Sequence, residues 1–370
     1  MIKAHKIRLN PSKEDEKYLN KAAGTKRFVY NWALDRWKWA KEQAISEYGM
    51  LTAKKDFNTI KRDNYPWVMD VAKDVAEGAF SDAATALKNY FESKTGQRKG
   101  LKMGFPKYKS RHRSKQSFRL NNDKIKVDGH WLYIPKMGWM NMAETLRFNG
   151  KIMGAVVSKT ADWWFVSITV KMDEPPPLNH PVKSVGIDVG IKTLATLSDG
   201  TQFENQELLK QELHTLKRLN RKLSRQVKGS KRWVQTKEKI ARVHYRIACK
   251  RADDLHKMTT WIAKRYKLIG AENLHVIGMV KNRRLARSLS DASFGEVLRQ
   301  LEYKAKWFGG KVQRVGRFFA SSKTCHHCGY VHQTLTLSER KWTCEGCKTT
   351  YDRDWNASKN IEQEALRLSR

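Results

Sequence analysis

Apolar and polar positions interleave in IKAHKIRL (2–9), which predicts a short strand, and Ser12 with Asp15 three residues on predicts a capped helix start. Further along, Phe28, Val29, Trp32, Ala33, Trp37 and Ala40 recur at helical spacing, as do Val68, Val71, Val75, Ala79, Ala83 and Leu87 after Pro66. Aromatic residues at that spacing predict a helical core in preference to a base-stacking surface. The period then changes to two. IKVDGHWLYIP (125–135) holds an Asp128-Gly129 turn between alternating runs, and AVVSKTADWWFVSITVKM (155–172) reads as a hairpin around Thr160–Asp162. These strands predict a small antiparallel barrel, and PPPLNHP (175–181) breaks the pattern as a domain boundary does.

Beyond that break VGIDVGIKTLATLSDG (185–200) reads as a buried strand that carries Asp188 between Ile187 and Val189. A buried carboxylate without a partner costs several kcal/mol or gives up its charge, so Asp188 calls for a partner elsewhere, such as a metal. Residues 206–266 look helical and crowd Arg218, Arg221, Lys222 and Arg225, among other bases, into one face with few acids at i,i+4 to stabilise it. Between the helical and strand-rich parts, residues 94–119 are basic and Gly-rich with interleaved rings (KTGQRKGLKMGFPKYKSRHRSKQSFR). That mixture suits a nucleic-acid groove, where Lys107, Lys109, Arg111 and Arg113 would meet phosphates. A solvated loop is the plainer alternative.

Composition strengthens the nucleic-acid reading. With 73 Lys+Arg against 37 Asp+Glu in 370 residues the net charge is +36, which a polyanion would neutralise. A long RNA, or RNA with DNA, fits that excess better than one short DNA site. No basic amphipathic anchor stands out, no run of eighteen apolar residues occurs and the N-terminal segment lacks a signal-peptide core, so a cytosolic protein, or a nuclear one in a eukaryotic host, with no membrane partner is expected. Hydrophobic residues make up 40% of the chain, enough for two or three packed domains, and no internal repeat is visible.

Two constellations carry chemistry. Asp188, Glu272 in KLIGAENLHVIG and Asp354 in TTYDRDWNASKNI place three carboxylates on a strand, a strand end and a helix start. Glu272 could simply end a strand and Asp354 could cap a helix. Taken together they are the donor set that holds two divalent metals for phosphodiester hydrolysis, since hard cations prefer oxygen ligands. The second constellation is Cys325-x2-Cys328, fifteen residues, then Cys344-x2-Cys347, the spacing of two zinc knuckles completing one tetrahedral site. His326 and His327 are then expected to be exposed, and Cys249 to be a small buried or semi-buried residue.

VGIDVGIKTLATLSDG, GAENL and DRDWNASKNI resemble the three split motifs of a RuvC-like nuclease core of RNase H type. With RFVYNWALD, FPKYKSR, IPKMGWM and the run from Gly278 to Cys325, they make nearly the whole chain similar to the TnpB (OrfB) proteins of bacterial insertion sequences. The resemblance implies an α/β nuclease domain joined to all-β and all-α parts. These would be a helical recognition domain over 11–114, a β-barrel wedge from 1–10 and 115–178, a RuvC-like domain from 180–320 and 351–370, and a zinc ribbon over 321–350. It implies an RNA-guided DNA endonuclease related to type V CRISPR effectors, with Asp188, Glu272 and Asp354 as catalytic acids holding two Mg2+ (or Mn2+) and a structural Zn2+. In the DRD tripeptide the resemblance assigns the catalytic position to Asp354 in preference to Asp352. Partners would be a guide RNA derived from the transposon end and double-stranded target DNA read beside a short motif, with a monomer on its RNA in the bacterial or archaeal cytoplasm. Asp74 and Glu77 depart from the neutral amides expected in the motif-reading region, which implies a different motif. A DNA-binding protein without cleavage and a transposase function are the competing readings.

Overall fold

The computed structural model describes residues 1–111, 113–174, 176–336 and 339–370. His112 of the basic segment, Pro175 of the expected boundary, and Leu337 and Ser338 of the expected ribbon lie outside the described residues. The chain divides into two compact units, Met1–Asp173 and Glu174–Arg370.

The first unit runs β1 (Ile2–Arg8), α1 (Lys13–Glu42), α2 (Met50–Asn64), α3 (Lys73–Lys94), β2 (Ser117–Asn121), β3 (Lys126–Asp128), β4 (Trp131–Ile134), β5 (Gly138–Asn141), β6 (Lys151–Thr160) and β7 (Trp163–Lys171). The capping box is present: Ser12 accepts from the Asp15 amide, and Asp15 accepts from the Ser12 amide. Val29, Ala33, Val68, Ala79, Ala83 and Leu87 bury together, so the helical aromatics around them are core. The helix α2 escapes a periodicity reading because only Met50, Ala53 and Phe57 of its fifteen residues are buried.

The expected barrel does not close. The strands form a four-stranded sheet in the order β1-β7-β6-β2 and a separate three-stranded sheet β3-β4-β5, joined among the described residues by the bridge Leu9 to Met142. Strands of three and four residues are too short to carry pairing round from one long sheet edge to the other. The two sheets instead share one apolar core that includes Ile7, Phe118, Leu132, Met140, Trp164 and Val166.

The second unit runs β8 (Val182–Asp188), β9 (Thr193–Leu197), β10 (Gln202–Glu204), α4 (Leu208–Gln211), α5 (Leu213–Ser224), α6 (Lys231–Arg265), β11 (Tyr266–Ala271), α7 (Val276–Met279), α8 (Ala286–Ala292), α9 (Phe294–Trp307), β12 (Lys311–Arg314), β13 (Lys341–Thr343), β14 (Thr350–Asp352) and α10 (Arg353–Leu368). Its five-stranded sheet has the order β10-β9-β8-β11-β12, with β8, β11 and β12 mutually parallel and β9 antiparallel to β8. That mixed order is the RNase H-type arrangement. The helices α6 and α9 cover one face, where Val185, Ile187 and Ile269 meet Ile262, Val297 and Leu301.

The other face receives α10, and two glycines decide how closely. Gly186 of β8 and Gly270 of β11 are register partners. A Cβ on Gly186 would lie 1.9 Å from the Ser358 carbonyl oxygen, and one on Gly270 would lie 2.8 Å from the Ala365 Cβ. The helix backbone therefore rests directly on the sheet, and Ser184 Oγ donates to Glu362 Oε1 one turn further along (2.6 Å). This seat positions the candidate site.

Candidate active site and metal centre

Side chains two apart on a strand share a face, so Asp188 follows Gly186, and Glu272 follows Gly270, on the side that carries α10. The helix runs antiparallel to β8. Glu362 sits at Ser184 and Ser358 at Gly186, so Asp354 in the first turn comes to the level of Asp188. The three acids are thus set at one end of the sheet by its register and by the glycine seat. Their electrostatics agree: burial pushes the Asp188 pKa well above the usual carboxylate value, and the charges of Glu272 and Asp354 push it further. Arg353 and Arg340 oppose that rise.

The three carboxylates do not form a tight cluster by themselves. Glu272 Oε1 accepts from Ser321 Oγ at 2.6 Å. Asp354 faces two guanidiniums, Arg340 Nη1 at 3.0 Å and Arg353 Nη2 at 3.1 Å. The cap of α10 is Asp352, whose Oδ1 accepts from the amides of Asp354 and Trp355, both at 3.0 Å. Asp354 is therefore free of the capping duty that the sequence left open for it. Three carboxylates whose mutual repulsion a cation would relieve are a donor set suited to hard divalent cations.

Four thiols form the second centre. Among the described residues, Cys325, Cys328, Cys344 and Cys347 are the one group of three or more His, Cys, Asp or Glu side chains whose ligand atoms all lie within 4.8 Å of one another. The Cys325–Cys347 and Cys328–Cys344 sulfurs are 3.7 and 3.5 Å apart. Zn–S bonds of about 2.3 Å at tetrahedral angles require S···S of about 3.8 Å. Cys347 and Cys328 titrate far apart. Thr349 holds the Cys347 thiol down at about 5, while burial and the neighbouring sulfurs outweigh the Tyr330 amide and hold Cys328 up at about 12. A cation shared by the four sulfurs would favour the thiolate form that Cys328 resists alone.

Sequence reasoning missed how this ribbon is fastened. Asn356 and Asn360 of α10 are buried. Asn356 Oδ1 accepts from the His326 amide at 3.0 Å, and its Nδ2 donates to Thr324 O at 2.7 Å. Asn360 Nδ2 donates to the carbonyls of Ser321 and Thr324. His327 is exposed as expected, whereas His326 packs edge-on against Tyr351 and Trp355, with ring centroids at 4.6 and 5.0 Å. The signal was present in DRDWNASKNI as polar residues four apart, one turn beyond Asp352. Cys249 corrects another expectation: it is exposed, because Val243 and Ile247 take the face of α6 that packs on Leu216 of α5.

The candidate nucleic-acid residues divide. Arg218, Arg221, Lys222 and Arg225 lie exposed along α5 and line one groove with His214 and Lys217. Lys107, Arg111 and Arg113 are exposed. Lys109 is committed elsewhere: its ammonium lies 3.6 Å from the Tyr30 ring centroid and 3.5 Å from Asp82, while Asn31 clamps its backbone N–H and C=O at 2.8 and 2.9 Å. Asp74 is likewise buried, and accepts from the Asn121 amide at 2.9 Å. It staples α3 to β2 and is not placed to read a base. Glu77 pairs with Lys54 at 2.6 Å.

Residues 167–283 match a family model described as "Probable transposase" (OrfB of IS605 type), residues 294–361 one described as "Cas12f1-like, TNB domain", and residues 1–45 one described as "Helix-turn-helix domain". Over 1–45 the structure has one strand and one continuous thirty-residue helix. The chain is 31% identical to "Putative RNA-guided DNA endonuclease InsQ" of Escherichia coli (strain K12), over 97% of this chain and 91% of the relative. It is also 31% identical to "Putative RNA-guided DNA endonuclease" of Streptomyces pristinaespiralis, over 99% and 90%. A Cas12f1 chain from a complex with sgRNA and target DNA shares the fold at a TM-score of 0.52, with 13% identity and 98% of each chain covered. With the sheet order, the placement of the acids and relatives matched almost end to end, the chain belongs to the OrfB (TnpB) family of insertion-sequence proteins.

Proposed function

We propose that this chain is an RNA-guided DNA endonuclease that hydrolyses a phosphodiester of target DNA beside a short adjacent motif. The observation that carries the reading is the convergence of Asp188, Glu272 and Asp354 at one end of the sheet, with burial and mutual repulsion holding Asp188 toward its neutral form. Divalent cations of the Mg2+ type, when bound, would supply the charge that stabilises the attacking and leaving oxygens. The chain's own part is to hold them through the three carboxylates. Ser321 orients Glu272, and Arg353 and Arg340 hold Asp354 until a cation competes for it. The cysteine ribbon takes Zn2+ in a closed four-thiolate shell, a structural role.

RNA and DNA enter as the partners that the charge of +36 calls for, and the relatives' names agree. Base pairing would read sequence while exposed bases such as Arg218, Arg221, Lys222, Arg225, Lys107, Arg111 and Arg113 hold backbones. Residues 11–114 would form the recognition part, 1–10 with 115–178 the wedge, and 180–320 with 351–370 the nuclease around the 321–350 ribbon. Glu77, and not Asp74, is the acid left to influence the adjacent motif.

The deciding experiment loads the chain with its co-purifying RNA and follows plasmid cleavage with Mg2+, with EDTA, and in Asp188→Ala and Glu272→Gln. Cutting should require Mg2+ and be abolished in both variants. Metal-dependent cutting that survives Asp188→Ala would sink the site assignment. The pairing of Asp354 with two arginines supports one other reading, a DNA-binding protein without cleavage, and tight target binding with no cutting under any metal would favour it.

A further inference from the structure

We infer that the outer face of the β3-β4-β5 sheet is a stacking platform for unpaired nucleotides of RNA. The inference rests on the reading of an RNA partner and adds a site that the charge argument does not contain. The sheet is one-sided. Leu132, Ile134 and Met140 point inward and are fully buried, whereas Trp131 and Trp139 point outward and are each 48% exposed. Register fixes the outer face as two rows, Lys126, Tyr133 and Trp139 in one, and Asp128, Trp131 and Asn141 in the other.

Large rings left in water on an ordered sheet mark a place where something docks. Here the rings are held in position. Tyr133 and Trp139 are direct cross-strand partners with centroids 5.5 Å apart, and Tyr18 Oη donates to Pro135 O at 2.8 Å, fixing the β4–β5 turn. Their backbone is locked from below by the buried residues of the same strands. Rings fixed before binding lose little entropy when a base stacks on them.

Charge and hydrogen bonding choose the occupant. The chain's excess of +36 and Lys126 at one edge favour a polyanion, while Asp128 beside Trp131 keeps phosphate off that ring and leaves it for a neutral base. Next to Trp131, Asn10 Nδ2 donates to Asn141 Oδ1 at 2.8 Å, leaving the Asn141 amide to donate and the Asn10 carbonyl to accept. A ribose 2′-hydroxyl both donates and accepts, and DNA lacks it. Unpaired RNA satisfies rings and amides together.

The test uses the full chain with its co-purifying RNA. Ultraviolet crosslinking with mass spectrometry should place nucleotide adducts on Trp131, Trp139 or Tyr133. In Trp131→Ala/Trp139→Ala the RNA affinity should fall about 30-fold or more, since stacking contributes about 1–3 kcal/mol per base and two rings are lost, with the salt dependence of binding unchanged. Trp131→Phe/Trp139→Phe should recover most of the loss and guards against a variant that merely misfolds. Adducts confined to DNA, unchanged RNA affinity in a folded alanine variant, or a wild-type dimer that the alanine pair dissolves would each overturn the platform. If the wild-type chain binds no RNA at all, the RNA-guided reading itself fails.

Discussion

The two candidate metal centres are built in opposite ways. The cysteine ribbon takes its four ligands from 23 consecutive residues, Cys325 to Cys347, and its sulfurs stand within 4.8 Å of one another. The acidic centre draws Asp188, Glu272 and Asp354 from a strand, a strand end and a helix start spread over more than 160 residues. Each of its carboxylates is meanwhile stabilised by something else: burial toward the neutral form, a serine hydroxyl, or arginines. A local site carries its geometry in its spacing. A dispersed site borrows geometry from the fold, and here it borrows it from a sheet register and a pair of glycines.

Metal withdrawal breaks the comparison most sharply. Structural zinc contributes about 10 kcal/mol or more of apparent folding energy to small cysteine sites. Strong chelation should therefore abolish hydrogen-exchange protection across residues 321–352 while β8, β9 and β11 keep theirs. Equal loss in both regions would show that the ribbon is not a separable unit. Gly186→Val acts on the dispersed site alone. Its side chain would occupy space held by the Ser358 carbonyl, so α10 must lift, at about 3 kcal/mol or more, read as a lowered denaturation midpoint with the zinc content intact. A stability close to wild type would show that the glycine seat does not set the helix position.

Smaller effects test the assignments around the two sites. Arg221→Ala should lower the slope of log affinity against log salt by about one, as losing one phosphate contact does. Lys109→Ala should leave that slope unchanged, because its charge is engaged by Asp82 and Tyr30. Lys304 gives the smallest effect and a third way of holding a charge. It is 3% exposed, and among the described residues its ammonium donates to neutral acceptors: His256 O, Thr259, Thr260 and Gln300. Burial lowers its pKa to about 8 from 10.5. The unfolded chain then binds more protons between those values, so stability should rise as pH goes from about 8 toward 10.5 and be lost as pH falls back. Lys304→Met should flatten that part of the wild-type curve; an unchanged curve would mean that the lysine stays charged when buried.

Legibility followed the same division between local and dispersed. Cysteine spacing, the Ser12–Asp15 box and the two hairpins could be read because their chemistry lies within a few residues. The first turn is Gly129-His130, one residue beyond the Asp128-Gly129 expected, since Asp128 pairs with Trp131. Asp188 could be read because a carboxylate in an apolar run breaks a local rule. Its grouping with Glu272 and Asp354 rested on the local character of the three acids and was sharpened by family resemblance, because nothing in GID, AEN or DRD states which strands pair. Gly186 and Gly270 read singly as weak points in strands, and only the register shows them to be one feature. The predicted barrel failed on a similar count: alternation identifies strands, but the length of β3, β4 and β5 determined that they form a sheet of their own. Lys109 looked like its exposed neighbours because no sequence pattern shows that Asn31 and Tyr30 wait across the fold.

The glycine seat has a further consequence. Asp354 is placed by what lies under α10, not by the 81 residues between it and Glu272. Within that span only the connecting loops are free to lengthen, shorten or take up a new module, provided that α9 and β12 keep their places in the core and the sheet and the last helix still finds its seat. The same independence makes the final helix a natural fragment for complementation. A chain split ahead of Ser321 should regain its third carboxylate from a separate piece carrying residues 321–370, because Asn356 and Asn360 bring the cysteine knuckle along with the helix.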